Sequence, residues 1–111
     1  MNTVVLEVGA LADVARAMNT GHAETEAHIS FATPELLWQV LTAKRWELIK
    51  ALCNVGPVSI REAARRVGRD VETVGRDVTA LLNAGVLYAA NDGKVEFPFD
   101  TVRVEFVLKA A

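Results

Sequence analysis

Arginines stand at positions 61, 65, 66, 69 and 76, with threonines at 73 and 79, all between Ser59 and Gly85. A guanidinium stays charged at any physiological pH and presents its donors as a planar fork, so it can clamp a phosphate or bond guanine O6 and N7 together. A threonine hydroxyl can touch a base edge or a phosphate. This is chemistry for holding a polyanion rather than for breaking bonds. No nucleophile elbow, glycine-rich phosphate loop or Ser/His/Asp set accompanies these residues, and an enzyme is not expected. His22 and His28 have no cysteine or paired carboxylate at metal-ligand spacing, so they read as surface or loop histidines, with neither metal nor cofactor implied.

The elements that must position the arginines follow from local signals. Ser59 and Glu62 have the spacing of a capping box and open a helix whose Ile60, Ala63, Ala64 and Val67 face inward. Gly68 supplies a permissive backbone for a turn, and Asp70 caps a second helix. Val71, Val74, Val78, Leu81 and Leu82 form that helix's expected buried side, and Gly85 ends it. Two short helices around a tight turn have the layout of a helix-turn-helix, whose second helix can lie in a DNA major groove. On that helix Glu72, Thr73, Arg76, Thr79 and Ala80 fall outward. Arg76 is the expected reader of a base edge; its competing role is an ion pair with Glu72, four residues earlier. Thr73 could meet a base or a phosphate. Arg69 is placed for a phosphate, and Lys44, Arg45, Arg61 and Arg65 for backbone clamping, with plain solvation the alternative for Arg61 and Arg65. Gly75, unfavourable inside a helix, marks either a close approach of backbone to DNA or a missing base contact. Asp77 and Glu72 would accept from cytosine or repel phosphate.

Beyond this motif, Thr3–Val8 is rich in β-branched residues and predicts a strand, 10–19 has helical spacing, 19–25 is polar and reads as a loop, and 28–32 predicts a short strand. Thr33-Pro34-Glu35 starts a helix bearing Leu36, Leu37, Val40 and Leu41. Thr42 caps the next, with Trp46, Ile49, Leu52 and Cys53 in a stripe that Gly56-Pro57 terminates. Trp38 and Trp46 read as core anchors and Cys53 as a small buried hydrophobe. The Asp92-Gly93 pair between 86–90 and 94–97 is a hairpin signal, and Lys94 at its tip could reach an adjacent groove or a phosphate, with plain solvation beside Asp92 the alternative. An alternating strand, Val102–Leu108, closes the chain.

The chain has 111 residues, enough for one domain with a modest core. Its net charge of −2 is unusual for a polyanion binder, but the charge is uneven: residues 1–43 carry −4, residues 44–84 carry +3, and residues 85–111 carry −1. Positive charge gathers where the arginines lie, and local potential governs encounter. A single cysteine forbids an internal disulfide, no apolar run approaches a membrane span, and a cytoplasmic location is expected.

Three helices followed by a hairpin form the winged helix-turn-helix arrangement. From about Thr42 to Pro98 the chain resembles the MarR-like winged-helix transcriptional regulators of bacteria and archaea. The residues that carry this are Arg61 to Gly68, Thr73-Val74, Arg76-Asp77-Val78, Leu81-Leu82, Ala84 to Leu87 and the wing Asn91 to Val95. It is most similar to a group of small DNA-binding proteins with Leu-Thr-x-Lys-Arg ahead of the motif, here Leu41 to Arg45, and Phe-Pro after the wing, here Phe97-Pro98. The resemblance implies a winged helix-turn-helix at 42–98; with the strand and helix signals outside it, an α+β fold is expected, having an N-terminal strand-helix-strand extension and linking helix at 1–41 for dimerisation or partner binding and a C-terminal strand at 99–111. The expected function is an autorepressor of a pseudo-palindromic site on double-stranded DNA; because one reading helix gives few contacts, a homodimer is expected, with the apolar-faced strands Val4–Val8 and Val102–Leu108 pairing with each other or with a second copy. Some members of the group are partners of toxins, so an antitoxin that grips a partner protein through its acidic first 43 residues is the alternative. A winged helix used only for protein contact is a third reading.

Overall fold

The protein is described by a computed structural model covering residues 2–9 and 26–105. The helix expected at 10–19, the loop after it with His22, and the end of the last expected strand lie outside the described residues. In chain order the elements are strands β1 (Thr3–Val8) and β2 (Glu26–Phe31), helices α1 (Pro34–Val40), α2 (Ala43–Leu52), α3 (Ile60–Val67) and α4 (Val71–Asn83), the hairpin strands β3 (Tyr88–Ala89) and β4 (Val95–Glu96), and strand β5 (Thr101–Glu105). The fold is α+β.

β1 is the centre of a three-stranded sheet and pairs in parallel with β2 on one side and β5 on the other. The first and last strands therefore do pair with each other, and with β2 on its far side β1 has no edge left for a second copy. Alternation divides the sheet into two faces. Val4, Leu6, Ala27, Ile29, Phe31, Val102 and Val104 join the core beneath the helices. On the other face the register sets Val5 between His28 and Arg103, and Glu7 between Ser30 and Glu105. Arg103 reaches across β1 to both oxygens of Glu26 at 2.9 and 3.0 Å. That bidentate contact is the main reason the Glu26 carboxyl lies below its ordinary range. His28 is no loop residue: it is half-buried in β2, with Nδ1 3.0 Å from Glu7 Oε1.

The helix starts are fixed by caps. Thr33 Oγ1 accepts from Leu36 N at 3.1 Å ahead of Pro34, and Thr42 Oγ1 accepts from Arg45 N at 3.3 Å. In α1 only Leu37 is buried. Leu36 is exposed and Trp38 is half exposed, because one short helix over a sheet edge can hide only one side, so Trp38 is not the core anchor its size suggests. In α2 the buried residues are Leu48, Ile49 and Leu52, with Trp46 and Cys53 half-buried at the flank. Burial, reinforced by Asp100, raises the Cys53 thiol pKa.

After α2 the chain turns through Asn54 and Gly56, both at positive φ. Val58 then exchanges two backbone hydrogen bonds with Val95, at 2.9 and 2.8 Å, tying the segment before α3 to the hairpin. At the hairpin tip Asp92 and Gly93 are both left-handed, as an Asp-Gly turn requires. Among the described residues no helix is long and apolar enough to cross a membrane.

Candidate nucleic-acid interface

The pair α3 and α4 is set by four local devices. Ser59 Oγ accepts from Glu62 N at 3.0 Å. Only this half of the capping box forms, since the Glu62 carboxylate turns forward to Arg65 and Arg66. Gly68 closes α3 at φ 69°, with its N–H returned to the helix's last carbonyls. The Asp70 carboxylate accepts from both Thr73 N and Thr73 Oγ1 at 2.8 Å. The bond from Thr73 N, with the hydroxyl second, holds that carboxyl below its usual range. Ala63 and Ala64, both buried, allow α4 to cross closely.

Along α4, Val74, Val78 and Leu81 are fully buried. Two residues assigned to that side are not. Leu82 is half-buried, and Val71 is 43% exposed. Val71 opens the helix, where no preceding turn shields it, and the residue one turn later is glycine.

The opposite side of α4 carries Glu72, Arg76, Thr79 and Asn83, all exposed. Arg76 points outward with its side chain 73% exposed and donates to Glu72 Oε1 at 2.8 Å. Thr79 Oγ1 donates back to the Gly75 carbonyl at 2.9 Å, and Thr73 is held at the cap. A shallow depression gathers Ile60, Gly75, Arg76, Thr79, Ala80 and Asn83. A second, at the junction of the two helices, gathers Ser59, Arg61, Arg65, Arg69, Asp70 and Val71. Lys94 is exposed at a third, beside Asn91 and Asp92.

The ten expected contact residues thus separate. Arg61, Lys44 and Lys94 are exposed and have no carboxylate within ion-pair distance among the described residues. Arg65 is exposed but forms a two-pronged pair with Glu62, which is the main reason that carboxyl lies below its ordinary value. Arg45 and Arg69 face inward. Arg45 Nε donates to Asp77 Oδ1 at 3.0 Å and its Nη1 to the Val40 carbonyl at 3.0 Å. Arg69 Nη2 donates to Asp77 Oδ2 at 2.8 Å. The three side chains are only 21%, 14% and 14% exposed, for Arg45, Arg69 and Asp77. Asp77 is therefore a clip joining the start of α2, the turn and α4, not an acid facing a ligand. Sequence spacing gave no sign of it, because Arg45 and Asp77 are far apart in the chain.

Gly75 is not required by packing. Its φ is not positive, and an added Cβ would meet only Ile60 Cγ2 at 3.8 Å, an ordinary contact. Gly75→Ala is therefore expected to stabilise the fold by about 0.5–1 kcal/mol, the usual helix-interior difference. Urea denaturation checks this, and a loss of stability would show a clash that the geometry does not contain.

Among the described residues four helices, a parallel sheet and a short hairpin make a small α+β domain in which α4 keeps one polar side exposed. Residues 40–104 match the family HVO_A0114, and the chain belongs to that family. The match starts at the end of α1 and runs into β5, taking in α2, α3, α4 and the hairpin. No curated protein matches the chain.

Proposed function

We propose that the protein is a sequence-specific DNA-binding transcriptional regulator of the winged helix-turn-helix, MarR-like kind, which represses its own operon as a homodimer. The observation that carries this is the outer strip of α4. It holds an exposed arginine paired only with an exposed glutamate one turn earlier, and the exposed Thr79, on a helix whose other side is sealed into the core. Helices α2, α3 and α4 with the Val58-tied hairpin supply the corresponding helix, turn and wing.

In this reading Arg76 reads a base, with Thr79 and Gly75 beside it. Arg61, Lys44 and Arg65 hold phosphates, Thr73 stabilises the start of the reading helix, and Lys94 reaches out from the wing. Arg45 and Arg69 support α4 through Asp77. Neither metal nor cofactor takes part, no catalysis is assigned, and the site of action is the cytoplasm. The few unpaired cations favour two copies over one, since specific sites need a larger interface than a single helix provides. The outer edges of β2 and β5, unpaired among the described residues, are where a second copy would add. The same edges favour, as second reading, an antitoxin that binds a partner protein by strand addition.

Band shifts on the gene's own upstream DNA at two salt concentrations test the proposal, with light scattering for the dimer. The expected result is a specific complex of two copies that weakens steeply with salt, as counterions are released from neutralised phosphates. No binding even at low salt, or a monomer at tens of micromolar, overturns it.

A further inference from the structure

Val71 is the largest departure from the apolar pattern of α4. A β-branched side chain at a helix start ordinarily turns to the core or is covered by the next turn. A methyl added at Gly75 would meet Ile60 Cγ2 and no side-chain atom of Val71, so Val71 owes its exposure to its place at the start of the helix. The result is an apolar spot in the depression that also holds Arg61, Arg65 and Arg69, on the first turn of the helix that presents Arg76.

A reading helix meets base edges with its N-terminal residues. The one apolar group that base pairs show in the major groove is the 5-methyl of a pyrimidine, which thymine carries and cytosine lacks. We propose that Val71 is a specificity-determining residue that packs on a thymine 5-methyl group. This rests on the DNA-binding reading above and adds a base preference to it.

The test deletes the methyl from each partner in turn. Each thymine of the bound upstream duplex is replaced by deoxyuridine, which keeps every hydrogen bond and removes only the methyl. Wild-type protein is expected to lose about four-fold in affinity at one thymine per half-site, the worth of one methyl removed from water. Val71→Ala should lose a similar factor on the thymine duplex and show no further loss on the deoxyuridine one. In a parallel arm, 5-methylcytosine placed at each cytosine distinguishes thymine from the modified base as the natural source of the methyl. If the deoxyuridine loss is the same in wild type and Val71→Ala, or is absent at every position while specific binding persists, the inference is overturned and the DNA-binding reading stands. If no duplex is bound specifically, both fall.

Discussion

Replacing Arg76 by alanine is expected to weaken binding by about 1–3 kcal/mol, roughly five- to 150-fold, on the specific site, and far less on unrelated DNA. The side chain is 73% exposed and its one partner, Glu72, is 79% exposed. A solvent-exposed pair one helical turn apart contributes only about 0.3–0.5 kcal/mol, so Glu72 is easily exchanged for a guanine edge. For the same reason the melting temperature of Arg76→Ala should hardly move, which separates lost recognition from lost folding. Arg76→Lys is the sharper variant. It keeps the charge and discards the fork, so non-specific binding should survive while discrimination at one base pair is lost. Glu72→Gln should do the opposite of a clamp removal: unrelated DNA binds more tightly, because an acid that repels phosphate is gone, and the ratio of specific to non-specific affinity falls. Competition band shifts against a single-base substitution series measure all three. A loss from Arg76→Ala that is equal on every sequence would reassign Arg76 to phosphate holding.

What the sequence disclosed about this surface, and what it withheld, divides along the range of the forces involved. The caps at Thr33, Thr42, Ser59 and Asp70 were readable because a cap is settled within four residues, and each hydroxyl or carboxylate does accept from the expected amide. The Asp92-Gly93 turn was readable because its backbone demands residues tolerant of positive φ. Helical period found Val74, Val78 and Leu81, but it misplaced Val71. Period gives an angle around the helix and says nothing about whether a neighbour lies over the first turn. The alternation at Val102 and Val104 told which face of the last strand is buried. It did not tell that the strand completes a parallel sheet with β1, since strand partners are chosen by the whole fold. His28 meets Glu7 only through that parallel register. Most of all, the positive segment from 44 to 84 looked like one basic surface. Three dimensions divide it: two arginines are turned inward on Asp77, two are held by Glu62, and Arg76 leans on Glu72. The two pairs on Asp77 depend on distances the chain reveals only when folded, whereas those on Glu62 and Glu72 are three or four residues apart and lie within reach of helical spacing.

The inward pair has the largest consequence for stability. Asp77→Ala is expected to cost about 2–3 kcal/mol and to lower Tm by roughly 10–15 °C, because it leaves two sheltered guanidinium groups without their shared acceptor. Arg69 is the more vulnerable of the two: its Nη1 is buried and already lacks a hydrogen-bond partner among the described residues, so its charge depends on the one bond that Nη2 makes. The remaining access to water, 14% for Asp77, keeps the cost below that of breaking a fully buried pair. Asp77→Asn, which retains one acceptor, should lose less. Adding Arg69→Met to Asp77→Ala should recover part of the loss, since an apolar side chain there has no charge to satisfy. The pH dependence has a defined sign. Burial pushes the Asp77 carboxyl up, but the hydrogen bonds and charges of Arg69 and Arg45 together outweigh it and hold the carboxyl below its ordinary value. A folded-state pKa below the unfolded one means that this contribution is complete above about pH 5 and is lost as pH falls through the ordinary carboxylate value near 4 and below it. Wild type and Asp77→Ala should therefore differ fully at pH 7 and converge in acid. Glu26, Glu62 and Asp70, also lowered, weaken both proteins in that range and cancel from the difference. Urea denaturation at a series of pH values between 2 and 7 measures the gap. A gap under about 0.5 kcal/mol at pH 7 would class the cluster with ordinary surface pairs and leave α4 held by its valines and leucine alone.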